Sequence, residues 1–390
     1  MKTMNPKLLA AALALCLGTG RLGAQAFTSG STGAAGALDV TTADLIVDLP
    51  PDGILNYTTI NIAAGRTLRF KPNALNTPVY LLATGDITVA GSINLDGSRG
   101  NGVSGGLPGP GGFAGGNPGS AGTDPGDGHG PGGGKAGSNS GNADGAGGGG
   151  FATKSTTAGT TRHGGSYGSA LLLPLVGGSG GGGTTGTPGN GGGGGGGALL
   201  LASSTRITIP ISGSLRADGA NIIASAFNFG SGGAIRLVAP VVAGNGAVEA
   251  RSAIGNYDAH GRIRVDTQDR SQLALNFNPP ATASLGSLML VFPAPLPRLD
   301  VIAAAGTAIS VGSGPVIVNL PFNAPAAQVV KVQAQDFGQL IPIRVVLTPD
   351  HGPAKTYDAE INNAAGNPAE VSVNVEFPVN VQTAVEVWTR

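Results

Sequence analysis

The chain has 390 residues, of which 70 are glycine, 27 proline, 11% charged and 4% aromatic, and its 22 basic side chains balance 22 acidic ones. The 41% of apolar residues is enough for a sizeable core, which argues against a wholly disordered chain. The low charge density argues against coiled coils, histone-like nucleic-acid binders and acidic tails. The length predicts two or three domains.

A secretory signal is predicted at residues 1–26. Lys2 and Lys7 precede an apolar run at residues 8–17, and a small-x-small triplet ends at Ala26. The run is short for a bilayer span, so a membrane anchor is the weaker interpretation. The only cysteine, Cys16, lies inside the signal, so the mature chain would carry no disulfide. We expect a protein that is secreted or displayed on a bacterial surface, with no transmembrane segment and no nucleic-acid partner.

Residues 45–265 consist of short β-branched runs separated by Gly, Asn, Asp and Pro, a pattern that predicts strands. The first predicted strands are residues 45–47, 59–62, 67–70, 79–82, 86–89 and 92–95. Three strands recur in about 20 residues, which is a solenoid period. The unit is repeated later, because residues 80–83, 85–89 and 91–97 align with residues 199–202, 205–209 and 213–219. Looser copies follow at residues 235–250 and 262–265.

Short strands with alternating apolar residues suit a coil whose inward side chains stack from rung to rung, as in a parallel β-helix. Through this rung pattern, residues 45–265 resemble the pectin-lyase-like, right-handed parallel β-helix proteins that bacteria secrete. The resemblance implies an all-β coil over residues 27–292. That family includes polysaccharide lyases, hydrolases and non-enzymatic adhesins, so the resemblance implies a carbohydrate or surface role without selecting one.

The longest insertion, residues 98–197, is rich in glycine: 44 of the 70 glycines lie in residues 97–197. Shorter insertions leave the predicted coil after residues 219 and 250, at the equivalent point of later rungs. All three are therefore predicted to project from one corner, where binding often occurs. A broken period of three argues against collagen and leaves two interpretations, a flexible tether or an ordered bundle of polyproline-II-like strands. The apolar residues 170–176 favour some order.

A Pro-rich linker is predicted at residues 293–298 and a separate β domain at residues 299–390. The predicted strands of this domain include residues 316–320, 329–334, 341–348, 371–377 and 385–388. About seven such runs in about 90 residues predict an immunoglobulin-like β-sandwich. The cysteine pair of antibody domains is missing, and the only tryptophan, Trp388, lies near the end of the chain.

Candidate site residues are few, and each has a structural alternative. Asp96 and Asp218 occupy equivalent rung positions, so they could hold calcium with loop carbonyls, although an Asp-Gly pair also suits a tight turn. Arg262 and Arg264 would share the outer face of one strand, where they could meet acidic sugars or form a solvated surface. The aromatic residues expected in the one-face loops, as candidates for ligand stacking, are Tyr167, Phe227, Phe229 and Tyr257.

No residue cluster identifies a reaction, so the sequence predicts function only by class. The leading hypothesis is a secreted, non-catalytic surface or matrix protein, adhesin-like, with an extracellular polysaccharide or cell-surface component as its partner. Self-association is a further option, and calcium is the only candidate cofactor. One alternative is a polysaccharide lyase or glycoside hydrolase with its site on the rung face. Another is an ice-binding or fibre-forming solenoid, which the lack of a regular Thr-x-Thr ladder disfavours.

Overall fold

The computed structural model describes residues 26–120, 122–137, 145–154, 161–186, 189–220, 228–252, 259–294 and 297–390. These residues form β-strands and one short 3-10 turn, Pro280–Thr282, and they contain no α-helix. Among the same residues no helix is long and apolar enough to cross a membrane. The predicted signal lies outside the described residues except for Ala26.

Parallel strands build the first two thirds of the protein. In chain order they are β1 (Leu38–Val40), β2 (Leu45–Asp48), β3 (Ile54–Tyr57), β4 (Ile60–Ile62), β5 (Thr67–Lys71), β6 (Val79–Ala83), β7 (Ile87–Val89), β8 (Ser92–Asn94), β9 (Ala198–Ser203), β10 (Arg206–Thr208), β11 (Ser214–Arg216), β12 (Ala234–Ala243), β13 (Ala247–Glu249), β14 (Arg262–Asp269), β15 (Asn276–Asn278) and β16 (Ala283–Gly286). The sequence analysis predicts most of these strands but not β1, β3, β15 or β16.

The parallel strands stack into three faces. The first face has the order β3-β6-β9-β12-β14-β16, the second β1-β4-β7-β10-β12 and the third β2-β5-β8-β11-β13-β15. The ten-residue strand β12 is long enough to belong to both the first and the second face. The arrangement is an all-β, solenoid-like coil, which confirms the predicted fold class at this level.

The interior of the coil is a set of apolar ladders. On the third face Leu68, Ile93, Leu215 and Val248 occupy paired positions of consecutive rungs, and none of them is exposed. Each inward side chain contributes about 1.5–3 kcal/mol by burial. Stacking the same position of every rung therefore stabilises the whole coil, because a single rung could not bury its apolar side alone.

The predicted alignment of the first face is wrong by one residue. The sequence repeat places Tyr80 opposite Leu199, whereas in the structure Tyr80 pairs with Leu200 and Leu81 with Leu201. A shift of one residue turns every side chain of a strand to the other side of the sheet. The three leucines are consecutive and both sides of β9 are buried, so hydrophobicity does not distinguish the two registers.

The three insertions leave the coil at one corner, as the sequence predicts. The strands before them, β8, β11 and β13, are stacked on the third face. The chain returns at Ala198, Ala234 and Arg262, which are paired on the first face. Every insertion therefore leaves and re-enters the coil at the corner between these two faces.

Glycine backbones of the segment 97–197, hereafter the glycine-rich segment, are hydrogen-bonded to one another at three-residue intervals. The N–H groups of Gly192 and Gly195 donate to the carbonyls of Gly116 and Phe113. A Cβ added at Gly192 would lie well under 3.0 Å from the carbonyl oxygen of Gly181. Glycine is needed at such positions because neighbouring backbones occupy the space of a side chain.

The C-terminal region consists of antiparallel strands. They are β17 (Arg298–Ala304), β18 (Thr307–Ala308), β19 (Ala327–Gln335), β20 (Leu340–Pro349), β21 (Lys355–Asn362), β22 (Ala369–Glu376) and β23 (Thr383–Thr389). They form one sheet with the order β18-β17-β19-β22 and a second with the order β21-β20-β23. Residues of both sheets share one hydrophobic cluster.

Two predictions for this region need correction. The predicted strand at residues 316–320 is not a strand, and Ile317 within it is 84% exposed. Its β-branched sequence suits a strand, but a strand also requires a hydrogen-bonded neighbour, which this segment does not have in the described structure. The predicted linker is shorter than expected, since β17 already begins at Arg298.

Candidate functional site

The two aspartates proposed for calcium meet across stacked rungs. The backbone N–H of Asp218 donates to Asp96 Oδ1 at 2.8 Å. Arginines lie against both carboxylates: Arg216 is 2.9 Å from Asp96 and 3.3 Å from Asp218, and Arg251 is 2.8 Å from Asp218. Glu249 also contacts Arg251, at 3.1 Å. The cluster is thus an ion-pair network in which guanidinium groups stand where a bound cation would.

Burial raises the pKa of Asp96, and the nearby Asp218 carboxylate adds to the rise while Arg216 opposes it. The result is a half-buried group whose charge depends on its arginine neighbour. Among the described residues no three His, Cys, Asp or Glu side chains are grouped as metal ligands. The arrangement suits a structural role, which is to neutralise charge between rungs.

Arg264 does not lie on an open rung face. Its guanidinium contacts Asp266 Oδ1 at 2.7 Å, and its side chain is 12% exposed. The other oxygen of Asp266 contacts Arg236, which is completely buried, at 3.1 Å. The backbone of Leu288 closes the cluster, since its N–H donates to Asp266 and its carbonyl accepts from Arg236. The prediction of a solvent-facing arginine is corrected here, because the chain after β16 covers this face.

Arg262 is also covered, in this case by the glycine-rich segment. Its guanidinium carbon lies 5.5 Å from the centre of the Phe151 ring, and Nη2 donates to the carbonyl of Tyr167 at 3.0 Å. The Tyr167 ring packs on Phe151 with centroids 4.7 Å apart, and its hydroxyl accepts a hydrogen bond from Ser179. Burial raises the pKa of Tyr167. Arg262 and Tyr167 therefore attach the insertion to the coil.

The remaining aromatic candidates are not open stacking surfaces in the described structure. Phe229 is 0% exposed, and its ring lies directly against Gly148, where any Cβ would clash. Phe227 and Tyr257 lie outside the described residues. The candidates that the structure describes are therefore packing and ion-pair residues.

A different contact joins the glycine-rich segment to the C-terminal region. The valines of β23 face the hydrophobic cluster of the two antiparallel sheets, so Glu386 and Trp388 face away from it. Trp388 meets Phe113 edge-on, with ring centroids 5.1 Å apart and planes at 87°. The backbone N–H of Gly130 lies close enough to the Glu386 carboxyl group to act against the rise of its pKa. We call this contact the junction.

A buried carboxylate strengthens the junction. Asp127 has a side chain that is 3% exposed, and Lys135 contacts it at 2.9 Å. The N–H of Ala354, from the C-terminal region, donates to the same carboxylate at 2.9 Å. Gly126 and Gly352 form a parallel bridge beside it. Backbone and charge-assisted hydrogen bonds therefore fix the C-terminal region on the glycine-rich segment.

A cleft of about 290 Å³ opens beside the junction. Its walls are mostly apolar and include Leu75, Pro78 and Val176, together with Glu386 and Trp388. Glu386 Oε2 and Trp388 Nε1 are shielded from solvent and have no hydrogen-bond partner in the described structure. We call this space the junction cleft.

Two titratable groups of the junction are held towards their neutral forms by burial. Burial raises the pKa of Glu386 to about 7, against the opposing effect of the Gly130 N–H. Burial lowers the pKa of His129, against the carboxylates of Asp350 and Asp127. Perturbed groups beside a cleft are a recognised indication of a functional site.

Sequence reasoning missed the junction cleft. Its walls come from the β5–β6 connection, the glycine-rich segment and β23, which are far apart in the chain. The available signal was the alternation in β23: Glu386 and Trp388 stand on the side opposite the valines. A tryptophan on the outward face of a strand indicates a contact or a binding surface.

These observations define the class as an all-β protein with a solenoid-like parallel coil and C-terminal antiparallel sheets. No protein-family model matches the chain, and no curated protein or solved structure matches it. The resemblance to pectin-lyase-like proteins stays a prediction from the rung pattern.

Proposed function

We propose that this is a secreted, non-catalytic surface or matrix protein of the adhesin type. In this proposal a right-handed parallel β-helix carries residues 98–197 as a polyproline-II-like bundle, and an immunoglobulin-like sandwich follows. The partner is an extracellular polysaccharide or another cell-surface component. Residues 1–26 direct export and are removed.

The observation that carries the proposal is the mutual pairing of charged groups on the coil. A hydrolase needs two carboxylates free to flank a glycosidic bond, and a lyase needs a free base with cations for the enolate. Asp96, Asp218 and Glu249 each contact an arginine, and so does Asp266. Carboxylates and arginines that already neutralise one another are poor catalytic acids and bases, and their ion pairs suit a structural role.

The glycine-rich segment supports a display role. Three-residue hydrogen-bond spacing is what packed polyproline-II strands require, and the resulting bundle would be stiff. A turn near its start carries two large apolar residues that are strongly exposed, Val103 at 88% and Leu107 at 71%. Exposed apolar side chains on a rigid insertion suit contact with a partner surface.

The experiment combines a turnover assay with a binding assay on residues 27–390. A panel of acidic and neutral polysaccharides, with and without calcium, is assayed for new reducing or unsaturated ends, and we expect none. Binding to the same polysaccharides in insoluble form, and to bacterial cells, is measured in parallel. We expect retention that falls at least about fivefold in the double variant Val103→Ser, Leu107→Ser.

Ile211→Ser is the matched control, since Ile211 is 76% exposed at another corner of the coil and should leave binding unchanged. Turnover of any polysaccharide would overturn the non-catalytic assignment and favour the lyase or hydrolase alternative. Equal losses in the Val103→Ser, Leu107→Ser variant and the control would overturn the display role of the insertion.

A further inference from the structure

Two apolar ladders of the coil are exposed only at their ends. The ladder of the third face consists of Leu45, Leu68, Ile93, Leu215, Val248 and Phe277. The ladder of the first face consists of Leu55, Leu81, Leu201, Leu237, Val265 and Leu285. The eight inner members are 0% exposed, whereas Leu45 is 36% and Leu285 is 47% exposed. The coil therefore presents apolar surface to water where its ladders stop, as repeat proteins do without a polar terminal repeat.

The strands at the two ends also have unpaired edges. In the described structure β2 pairs only with β5, and β3 only with β6. At the other end β15 pairs only with β13, and β16 only with β14. An edge strand has free backbone N–H and C=O groups, which can pair with a strand of another chain. We call residues 38–57 the N-terminal end of the coil and residues 267–286 its C-terminal end.

The described segments that flank the coil do not fold over these ends. Before β1, the hydroxyl of Ser29 donates to the carbonyl of Ala83. The hydroxyl of Ser31 donates to the carbonyl of Tyr57 on the neighbouring rung, so this segment runs along the side of the coil. After β16, the chain packs on the outer apolar cluster of the first face. Both ends are therefore open to a partner.

The geometry of an end restricts which partner fits it. A partner that pairs with strands of more than one face must present parallel strands at the same angles. The opposite end of the same coil does so, because both ends are cross-sections of one repeated unit. The ladders also correspond, since Leu45 of one copy would follow Phe277 of another, and Leu55 would follow Leu285. A second copy of this chain is therefore the partner that fits.

Charge favours the joining of unlike ends. The N-terminal end carries four aspartates, Asp39, Asp44, Asp48 and Asp52, and no basic residue. The C-terminal end carries one aspartate and one arginine, which balance. Two N-terminal ends would therefore repel each other, whereas an N-terminal end meets no net charge at a C-terminal end. Charged residues at strand edges also limit pairing, so the association should be weak.

We propose that copies of this protein join head to tail, the C-terminal end of one coil pairing with the N-terminal end of the next. The apolar ladders then continue across the contact. Because the contact uses two different surfaces, it does not close into a dimer, and rows of copies lengthen as the concentration rises. Short strand pairs make a small interface, so a dissociation constant on the order of 100 µM is expected.

This inference goes beyond the proposed function. A monomer could display the glycine-rich segment, and rows could form without binding any polysaccharide. The experiments below measure only association between copies, so their failure leaves the proposed function untouched.

Sedimentation of residues 27–390 is measured from about one tenth to ten times the expected dissociation constant, and we expect the average mass to rise with concentration. Leu45→Glu blocks the N-terminal end and Leu285→Glu the C-terminal end, because each places a carboxylate in the contact without a partner. Each variant alone should stay monomeric. An equimolar mixture should form a heterodimer and nothing longer, because one intact end of each kind remains. Ile211→Glu, at an exposed position between β10 and β11 on an inner rung, is the control and should associate normally.

A cysteine pair tests the register without changing the ladders. Residues 27–390 contain no cysteine. Ile46 and Asn278 begin and end one column of outward side chains, so they would be neighbours across the contact. Facing residues on adjacent strands are about 5 Å apart, within disulfide range. Mild oxidation of Ile46→Cys mixed with Asn278→Cys should therefore give a linked heterodimer, whereas Ile46→Cys mixed with Ile211→Cys should not.

A monomer mass at every concentration of the native protein would overturn the head-to-tail contact. Association of Leu45→Glu alone or of Leu285→Glu alone would do the same, because it would show a contact through another surface. Equal crosslinking in the Asn278→Cys and Ile211→Cys mixtures would refute the proposed register, and this result does not depend on how well the glutamate variants fold.

Discussion

Glu386 should make the protein less stable as the pH rises above 4.5. Its pKa is about 7 in the folded protein and 4.5 in the unfolded chain, because burial disfavours the ionised form. Each unit of difference corresponds to about 1.4 kcal/mol, so the full effect is about 3 kcal/mol. A raised folded pKa gives stability that is complete below pH 4.5, falls as the pH rises towards 7, and is lost above it.

The measurement is urea denaturation of residues 27–390 at pH 5 and pH 8, followed by Trp388 fluorescence. The side chain of the Glu386→Gln variant cannot ionise. The free energy of unfolding of this variant, relative to that of the native protein, should therefore be about 2–3 kcal/mol higher at pH 8 than at pH 5. The comparison with the variant is needed because His129 acts in the opposite sense: its lowered pKa gives stability above its ordinary 6.5 that is lost as the pH falls. For Glu360→Gln, at an exposed site on β21, the difference in unfolding free energy from the native protein should be the same at both pH values. A difference between native and Glu386→Gln protein that is the same at both pH values would refute the burial argument.

Three further predictions concern the coil and the glycine-rich segment. Leu215→Ala leaves a cavity in the central ladder and should cost about 2–5 kcal/mol in urea denaturation; a cost below about 1 kcal/mol would contradict full burial. Gly192→Ala should destabilise the protein by about 1–3 kcal/mol, because the new Cβ would clash with neighbouring backbone. Gly165→Ala is the control: a Cβ there meets nothing within 4 Å, so the stability should change by less than about 0.5 kcal/mol. Equal melting temperatures for the two variants would refute close packing of the glycine-rich segment. Arg236→Met removes one of the two arginines that contact the buried Asp266 and should cost about 1–3 kcal/mol, because Arg264 still contacts the other carboxylate oxygen; the double variant with Asp266→Leu should lose less than the sum of the two single variants, and an additive loss would show that the pair is not coupled.

The coil could be predicted because its signal is local and repeated. Alternating apolar residues such as Leu68 and Ile93 recur at the spacing of one rung, and the structure stacks them in the same ladder. The common corner of the insertions follows from the same repeat. The register of β9 could not be predicted, because three consecutive leucines are compatible with burial on either side of the sheet.

The site was harder to predict because burial of polar residues depends on contacts distant in the chain. Alternation correctly separates Ile263 from the outward Arg262 and Arg264, but it carries no information on what covers the outward side. Phe151 reaches Arg262, and the backbone of Leu288 closes the cluster that pairs with Arg264. Patterns in a single sequence therefore identify the strands but do not show which segments pack on their outward faces.

Other segments pack on the first face because its outward side chains are apolar. Leu82, Leu200 and Val238 point out of the coil and are 0% exposed, because Phe151 and Leu172 of the glycine-rich segment pack on them, together with residues after β16. Without that cover the coil would present a continuous apolar sheet to water, which favours aggregation. Deleting residues 100–195 would thus remove a layer of the core as well as a display element. Point substitutions at the exposed Val103 and Leu107 test binding without exposing this face.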